Sequence, residues 1–223
     1  MTGSPNRIAS KLSGFVQANL TKEQKEQQRQ EVNRVAKRDV VGLRSQDSSV
    51  FQYPEDQAIY LSKELAEEDY AQDIISKLRT LAEKSTNPIY LIINCNGGAK
   101  TLCLAICDTI RLLSVPVYTV VLGRALSSGA LIFLAGEKRY ITKFSAVMFH
   151  YIRIQGGGLE HMSLGEPELA DYLTAIKKGN KLVERFIIER TGIKRKKLKE
   201  WMAIEKLFNA EDAVKWGIAH EVI

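Results

Sequence analysis

The run Pro88-Ile-Tyr-Leu-Ile-Ile93 constrains the fold most. It is apolar at successive positions, where a strand with one wet face would alternate. A strand of that kind is buried on both faces, the habit of a parallel sheet. A parallel neighbour needs a crossover, so helices must lie between the strands. The surrounding sequence supplies them. Ala58-Ile-Tyr-Leu61 reads as a first short strand, and residues 66–83 as a helix with a stripe of Ile74, Ile75, Leu78 and Leu81. After Asn94-Cys-Asn-Gly-Gly98, a turn, residues 101–113 read as a helix and 115–122 as a strand. That strand turns at Gly123-Arg-Ala-Leu126 and delivers Ser127-Ser-Gly-Ala130 onto the apolar helix Leu131-Ile-Phe-Leu-Ala135. Strands at 139–141 and 146–150 follow. A long helix over 166–190 carries Leu169, Tyr172, Leu173, Ile176, Val183 and Ile187 on one stripe. Helices near 195–202 and 210–216 and a strand at 218–223 complete an α/β layer structure.

Residues 1–50 differ in kind. They are polar and rich in Gln, Lys, Arg and Ser, and are expected to form a partly mobile arm, with the compact domain at 51–223. The whole chain is 223 residues, 45% hydrophobic, which is enough for one full core. No apolar run approaches the ~18–20 residues that span a bilayer, so no membrane partner is expected. The first residues given form no long apolar stretch, so no secretory signal peptide is expected, and the expected location is cytoplasmic. The acid-free stretch with Arg7, Lys11 and Lys22 leaves an organelle matrix or stroma as the alternative.

Cys95, Cys103 and Cys107 are the three cysteines, an odd number that suits a reducing compartment. Their spacing lacks the partners of a metal site, so neither metal nor cofactor is expected. The net charge of +6 owes much to the N-terminal region and to the run from Arg190 to Lys199. That run has no interleaved aromatics and reads as a solvated helix face, not a nucleic-acid surface.

The chemistry-bearing residues form a pattern. A serine at a strand-to-helix turn sits beside helix N–H groups that have no internal acceptor, at the positive end of the macrodipole. An oxyanion formed there would be stabilised. Serine chemistry also needs a base, and His150 closes an apolar strand, whereas His161 lies in polar sequence after a Gly-rich loop and His220 near the C-terminus. Gly97-Gly98 follows a buried strand, where a backbone N–H can approach a substrate with no Cβ in the way.

These segments resemble the proteolytic subunit of the Clp protease, a self-compartmentalised serine peptidase of the crotonase-like superfold. The resemblance is carried by Asn94-Cys-Asn-Gly-Gly98, Gly123-Arg-Ala-Leu-Ser-Ser-Gly-Ala130, Val147-Met-Phe-His150 and Ala210-Glu-Asp-Ala-Val-Lys-Trp-Gly-Ile218, within residues 58–223. It implies a repeated strand–helix fold with a protruding strand–helix handle. It implies Ser127 as nucleophile, His150 as base and the N–H groups of Gly98 and Ser128 as oxyanion hole. A gap-free count from Thr191-Gly192 puts Glu205 where the family has its aspartate. Gly97, Ala99 and the stretch near Gly156 are expected to hold an extended substrate as an added strand. The implied partners are other copies in heptameric rings stacked as a tetradecamer, or paralogous subunits. An AAA+ unfoldase and unfolded polypeptide are implied too, and with no Gly-Lys-Ser/Thr phosphate loop any ATP use falls to the unfoldase. The expected activity, an ATP-dependent serine endopeptidase, should rise with pH as His150 loses its proton. The alternatives are a non-catalytic ring subunit that scaffolds active paralogues and, more remotely, an acyl-CoA enzyme using the same two amides.

Overall fold

The computed structural model describes residues 51–153 and 165–223. The arm expected over residues 1–50 lies outside them. A seven-stranded sheet organises the domain, with β1 (Ala58–Leu61), β2 (Ile89–Cys95), β3 (Val117–Leu126), β4 (Lys138–Ile141) and β7 (Glu221–Val222) side by side and parallel. Strand β5 (Ala146–Met148) pairs with β3, and β6 (Leu207–Phe208) pairs with β5 antiparallel. As the apolar run requires, β2 lies between two parallel neighbours and buries Leu91 and Ile92, which point to opposite faces.

Helices α1 (Glu68–Lys84) and α2 (Lys100–Leu112) make the crossovers, burying Ile74, Ile75 and Leu78 from one and Cys103, Ile106, Cys107 and Ile110 from the other. Helix α3 (Ser128–Ala135) is buried along its whole length, which explains why its sequence has no polar face. The long α4 (Glu166–Thr191) packs against α3 through its second half, around Val183 and Ile187, while Leu169, Tyr172 and Leu173 in its first half are exposed. It ends at Gly192, whose left-handed backbone caps the last turn. Helices α5 (Arg195–Ala203) and α6 (Ala210–Lys215) follow, and the Asn209 side chain caps α6 by accepting from the Asp212 N–H at 2.8 Å.

Three expectations from sequence need correction. Gly123 to Leu126 is not a turn: β3 runs on to Leu126. Gly123, at φ +102°, bends the strand instead, and a Cβ there would crowd the Asn94 Oδ1 at 3.1 Å. Before the bend β3 pairs with β4; after it, Arg124, Ala125 and Leu126 pair with Ala146, Val147 and Met148 of β5. The reversal falls on Ser127. Helix α1 begins at Glu68 because Leu65 is occupied as a one-residue bridge to Gly98. The last strand is only Glu221–Val222, since Ile218 and Ala219 still bond to the Ala213 carbonyl behind them.

An arginine is buried in β4. Arg139 gives its Nε to the Ile218 carbonyl at 2.8 Å and its Nη2 to the carbonyls of Gly217 and Arg190. Burial, and next the Arg190 charge, push its pKa down to about 10. Arg190 bonds in turn to the carbonyls of Leu134 and Gly136. Backbone carbonyls, not an acid, satisfy this cation, and so β4, α3, α4 and the C-terminal turn are tied together.

Candidate active site

Ser127 is the N-cap of α3 and one of two non-glycine residues with positive φ among the described residues. Its backbone, at φ 54° and ψ −120°, is a conformation that an L-residue adopts only when its surroundings impose it. They do so from both sides. The Ser127 N–H donates to the Met148 carbonyl at 2.9 Å, the last rung between β3 and β5. The Ser127 carbonyl accepts from the Ala130 and Leu131 amides at 3.0 and 3.3 Å, the first turn of α3. A strand and a helix thus force a sharp elbow with the serine at its apex.

The two expected oxyanion amides can be located by following their carbonyls. In a trans peptide the C=O and the next N–H point opposite ways. The Ser127 carbonyl points into α3, so the Ser128 N–H points back out of the helix toward the elbow. The Gly97 carbonyl accepts from the Leu65 amide at 2.7 Å, so the Gly98 N–H points away from Leu65. The other side is the elbow. An added Cβ at Gly97 would lie 2.8 Å from the Ser127 Cβ and 3.0 Å from the Ser128 nitrogen. At Gly98 it would meet the Leu65 backbone at 2.5 Å. Both positions require glycine for space, and both have positive φ. The Gly98 carbonyl accepts the Ser128 hydroxyl at 2.8 Å. Ser128 is buried with its oxygen so engaged, which leaves Ser127 as the more exposed of the two hydroxyls.

His150 lies two residues past Met148, the residue that holds the Ser127 amide, and is half-buried. Its Nδ1 is 2.6 Å from the Tyr151 carbonyl oxygen. A carbonyl can only accept, so Nδ1 carries a proton, and in the neutral ring Nε2 is then the nitrogen with the lone pair, as a general base needs. Glu205 has left-handed backbone at φ 52° in the turn between α5 and β6. Its carboxylate is ion-paired with Arg153, three residues beyond His150. Among the described residues, no hydrogen bond joins His150 to Glu205 or to Ser127.

Gly97 and Ala99 lie at the site with their backbone groups already engaged. The Gly97 N–H meets the Cys95 sulfur at 3.3 Å, the Ala99 N–H donates to the Leu65 carbonyl at 2.8 Å, and the Ala99 carbonyl accepts from Cys103. Leu65 thus occupies the edge where an added strand at Gly97 and Ala99 would pair. Gly156 lies outside the described residues, as does His161. Sequence reasoning missed Leu65, the Tyr151 carbonyl and Arg153. The first two act through backbone atoms, which no side-chain pattern announces. Cys95 closes β2, just before the Gly97-Gly98 turn. Its thiol donates to the Lys63 carbonyl at 3.0 Å, and burial, above all other influences, pushes its pKa up. Among the described residues no cluster of metal-ligating side chains occurs, and no helix is long and apolar enough to cross a membrane.

Repeated strand–helix units that carry a serine elbow beneath a Gly-Gly turn define the class: ClpP- and crotonase-like α/β proteins. Comparison with known proteins narrows this. The family model described as Clp protease matches residues 43–223. The ATP-dependent Clp protease proteolytic subunit 2 of Chlamydia trachomatis serovar D is 33% identical over 171 residues, covering 75% of this chain and 81% of the relative. Subunit 2 of Frankia casuarinae is 28% identical over 156 residues, 69% of each chain. The chain belongs to the Clp protease family.

Proposed function

We propose that the protein is a catalytically active serine endopeptidase subunit of a self-compartmentalised Clp-type protease. The observation that carries the reading is the strained Ser127 elbow, bonded through its amide to Met148 and packed under Gly97. In this mechanism the Ser127 Oγ attacks the scissile carbonyl carbon while His150 Nε2 takes the hydroxyl proton. The carbonyl oxygen becomes an oxyanion and receives the N–H groups of Gly98 and Ser128. Collapse of the tetrahedral intermediate expels the amine, which takes the proton from Nε2. Water, deprotonated by the same nitrogen, then attacks the acyl carbon, and the Ser127 Oγ leaves with that proton, restoring the free serine and the neutral base. The Tyr151 carbonyl holds the imidazole in its working tautomer. Glu205, through Arg153, anchors the segment that follows His150.

The substrate class proposed is unfolded polypeptide, delivered by an AAA+ unfoldase to rings of this chain or of this chain with paralogues. The exposed Leu169, Tyr172 and Leu173 of α4 support a ring-to-ring contact. The test is hydrolysis of a panel of fluorogenic peptides by the assembled protein. Activity should vanish in Ser127→Ala and His150→Ala. A second reading, a non-catalytic scaffold subunit, draws on the pairing of Glu205 with Arg153 instead of His150. It would be favoured if Ser127→Ala left the activity of the native assembly unchanged.

A further inference from the structure

We propose that the Ser128 side chain is a positioning residue that sets the spacing of the two oxyanion amides. This rests on the reading of Ser127 as nucleophile, and it concerns an atom which that reading leaves without a role. Mechanistically, only the backbone N–H of Ser128 is needed. Its hydroxyl nevertheless donates to the Gly98 carbonyl at 2.8 Å, across a sequence separation of 30 residues. Each end of that bond belongs to one of the two residues whose N–H groups face the oxyanion.

The segment Gly97-Gly98 has positive φ at both residues and no Cβ to restrict rotation, so its peptide planes are held only by their hydrogen bonds. Leu65 holds one edge, with its N–H on the Gly97 carbonyl and its carbonyl on the Ala99 N–H. Those bonds fix the segment to the turn before α1. They say nothing of its distance from the serine elbow. The Ser128 hydroxyl supplies that link, because it sits on the first residue of α3 and reaches the opposite edge at Gly98. Leu65 takes the Gly97 carbonyl and the Ala99 N–H, so across the two trans peptides the Gly98 N–H and carbonyl both face away from Leu65, to the same side. Fixing the Gly98 carbonyl toward Ser128 therefore also holds the Gly98 N–H toward the space above Ser127. Ser128 is itself held, since its carbonyl accepts the Cys103 thiol at 3.2 Å and its side chain is buried. A buried residue leaves little room for water to replace the lost donor.

The inference predicts a kinetic signature distinct from loss of packing. Ser128→Ala in the assembled protein should lower kcat about tenfold or more with KM little changed, because the affected contact strengthens as the oxyanion forms. Labelling of Ser127 by a fluorophosphonate should slow in parallel, while the melting temperature and assembly size stay near those of the unsubstituted protein. Ser128→Thr, which keeps the donor, should restore most of the rate. Ser128→Cys, a weaker and longer donor, should fall between Ala and Ser, and it serves if Ser128→Ala fails to fold. Equal kcat in Ser128→Ala or Ser128→Cys and the unsubstituted protein, or a change confined to KM, would overturn the inference and leave the peptidase reading intact. An unsubstituted assembly with no Ser127-dependent turnover would overturn both.

Discussion

At the scale of single residues, the site depends on two glycines being glycines. Gly97 has the elbow serine's Cβ in the space its own side chain would fill, and Gly98 has the Leu65 backbone there. Gly97→Ala adds one methyl to a closed space at a backbone angle that disfavours it. The methyl must displace either the Ser127 side chain or the glycine turn, so the oxyanion geometry is lost whichever moves. The expected loss in kcat/KM is about 10²-fold or more, comparable to removal of an oxyanion donor. A peptide-hydrolysis assay on a variant shown to assemble normally checks it, and near-normal turnover would contradict the geometry. Ser127, His150 and both glycines were legible as residue types in sequence context. Their partners were not: the Met148 and Tyr151 carbonyls and the Leu65 amide are backbone atoms, present at every position. Glu205 came from counting along a resemblance, and counting cannot reveal that an arginine at 153 would pair with it.

At the scale of elements, periodicity placed the helices and most strands well because burial dictates it. The misplacement at Gly123 has an instructive cause. A glycine after an apolar strand normally signals a turn, but here β3 exchanges β4 for β5 as its neighbour and continues. Pairing partners are distant in sequence, so a local pattern cannot distinguish a bend from an end. The same limit hid the role of the C-terminal segment, where the β4 backbone meets a histidine. The Arg139 N–H donates to His220 Nδ1 at 3.1 Å. Burial, followed by the charges of Arg139, Arg190 and Lys138, lowers the His220 pKa. Its neutral form is therefore favoured by folding. The unfolded chain binds the proton more readily, so stability is fully present above the ordinary imidazole range and declines as pH falls toward the lowered value. His220→Asn keeps an acceptor without a titrating ring. It should flatten the fall of melting temperature between about pH 7.5 and 5. Equal slopes in the two proteins would show that His220 does not contribute.

At the scale of the whole molecule, the exposed apolar half of α4 is the feature a lone subunit does not explain. Leu169, Tyr172 and Leu173 face solvent on a helix whose other half is packed in the core. A proposed ring-to-ring contact would bury them. Leu169→Asp combined with Leu173→Asp should then reduce the largest species in native mass spectrometry to a single ring or smaller, with the fold retained by circular dichroism. A complex of unaltered mass would place the contact elsewhere.

The central claim concerns one oxygen atom. A fluorophosphonate applied to the assembled protein, followed by peptide mapping, reads it directly. The account predicts a single adduct on Ser127 that is lost in His150→Ala and untouched by excess coenzyme A. Intact rings that carry no adduct, or carry it on Ser128, would contradict it.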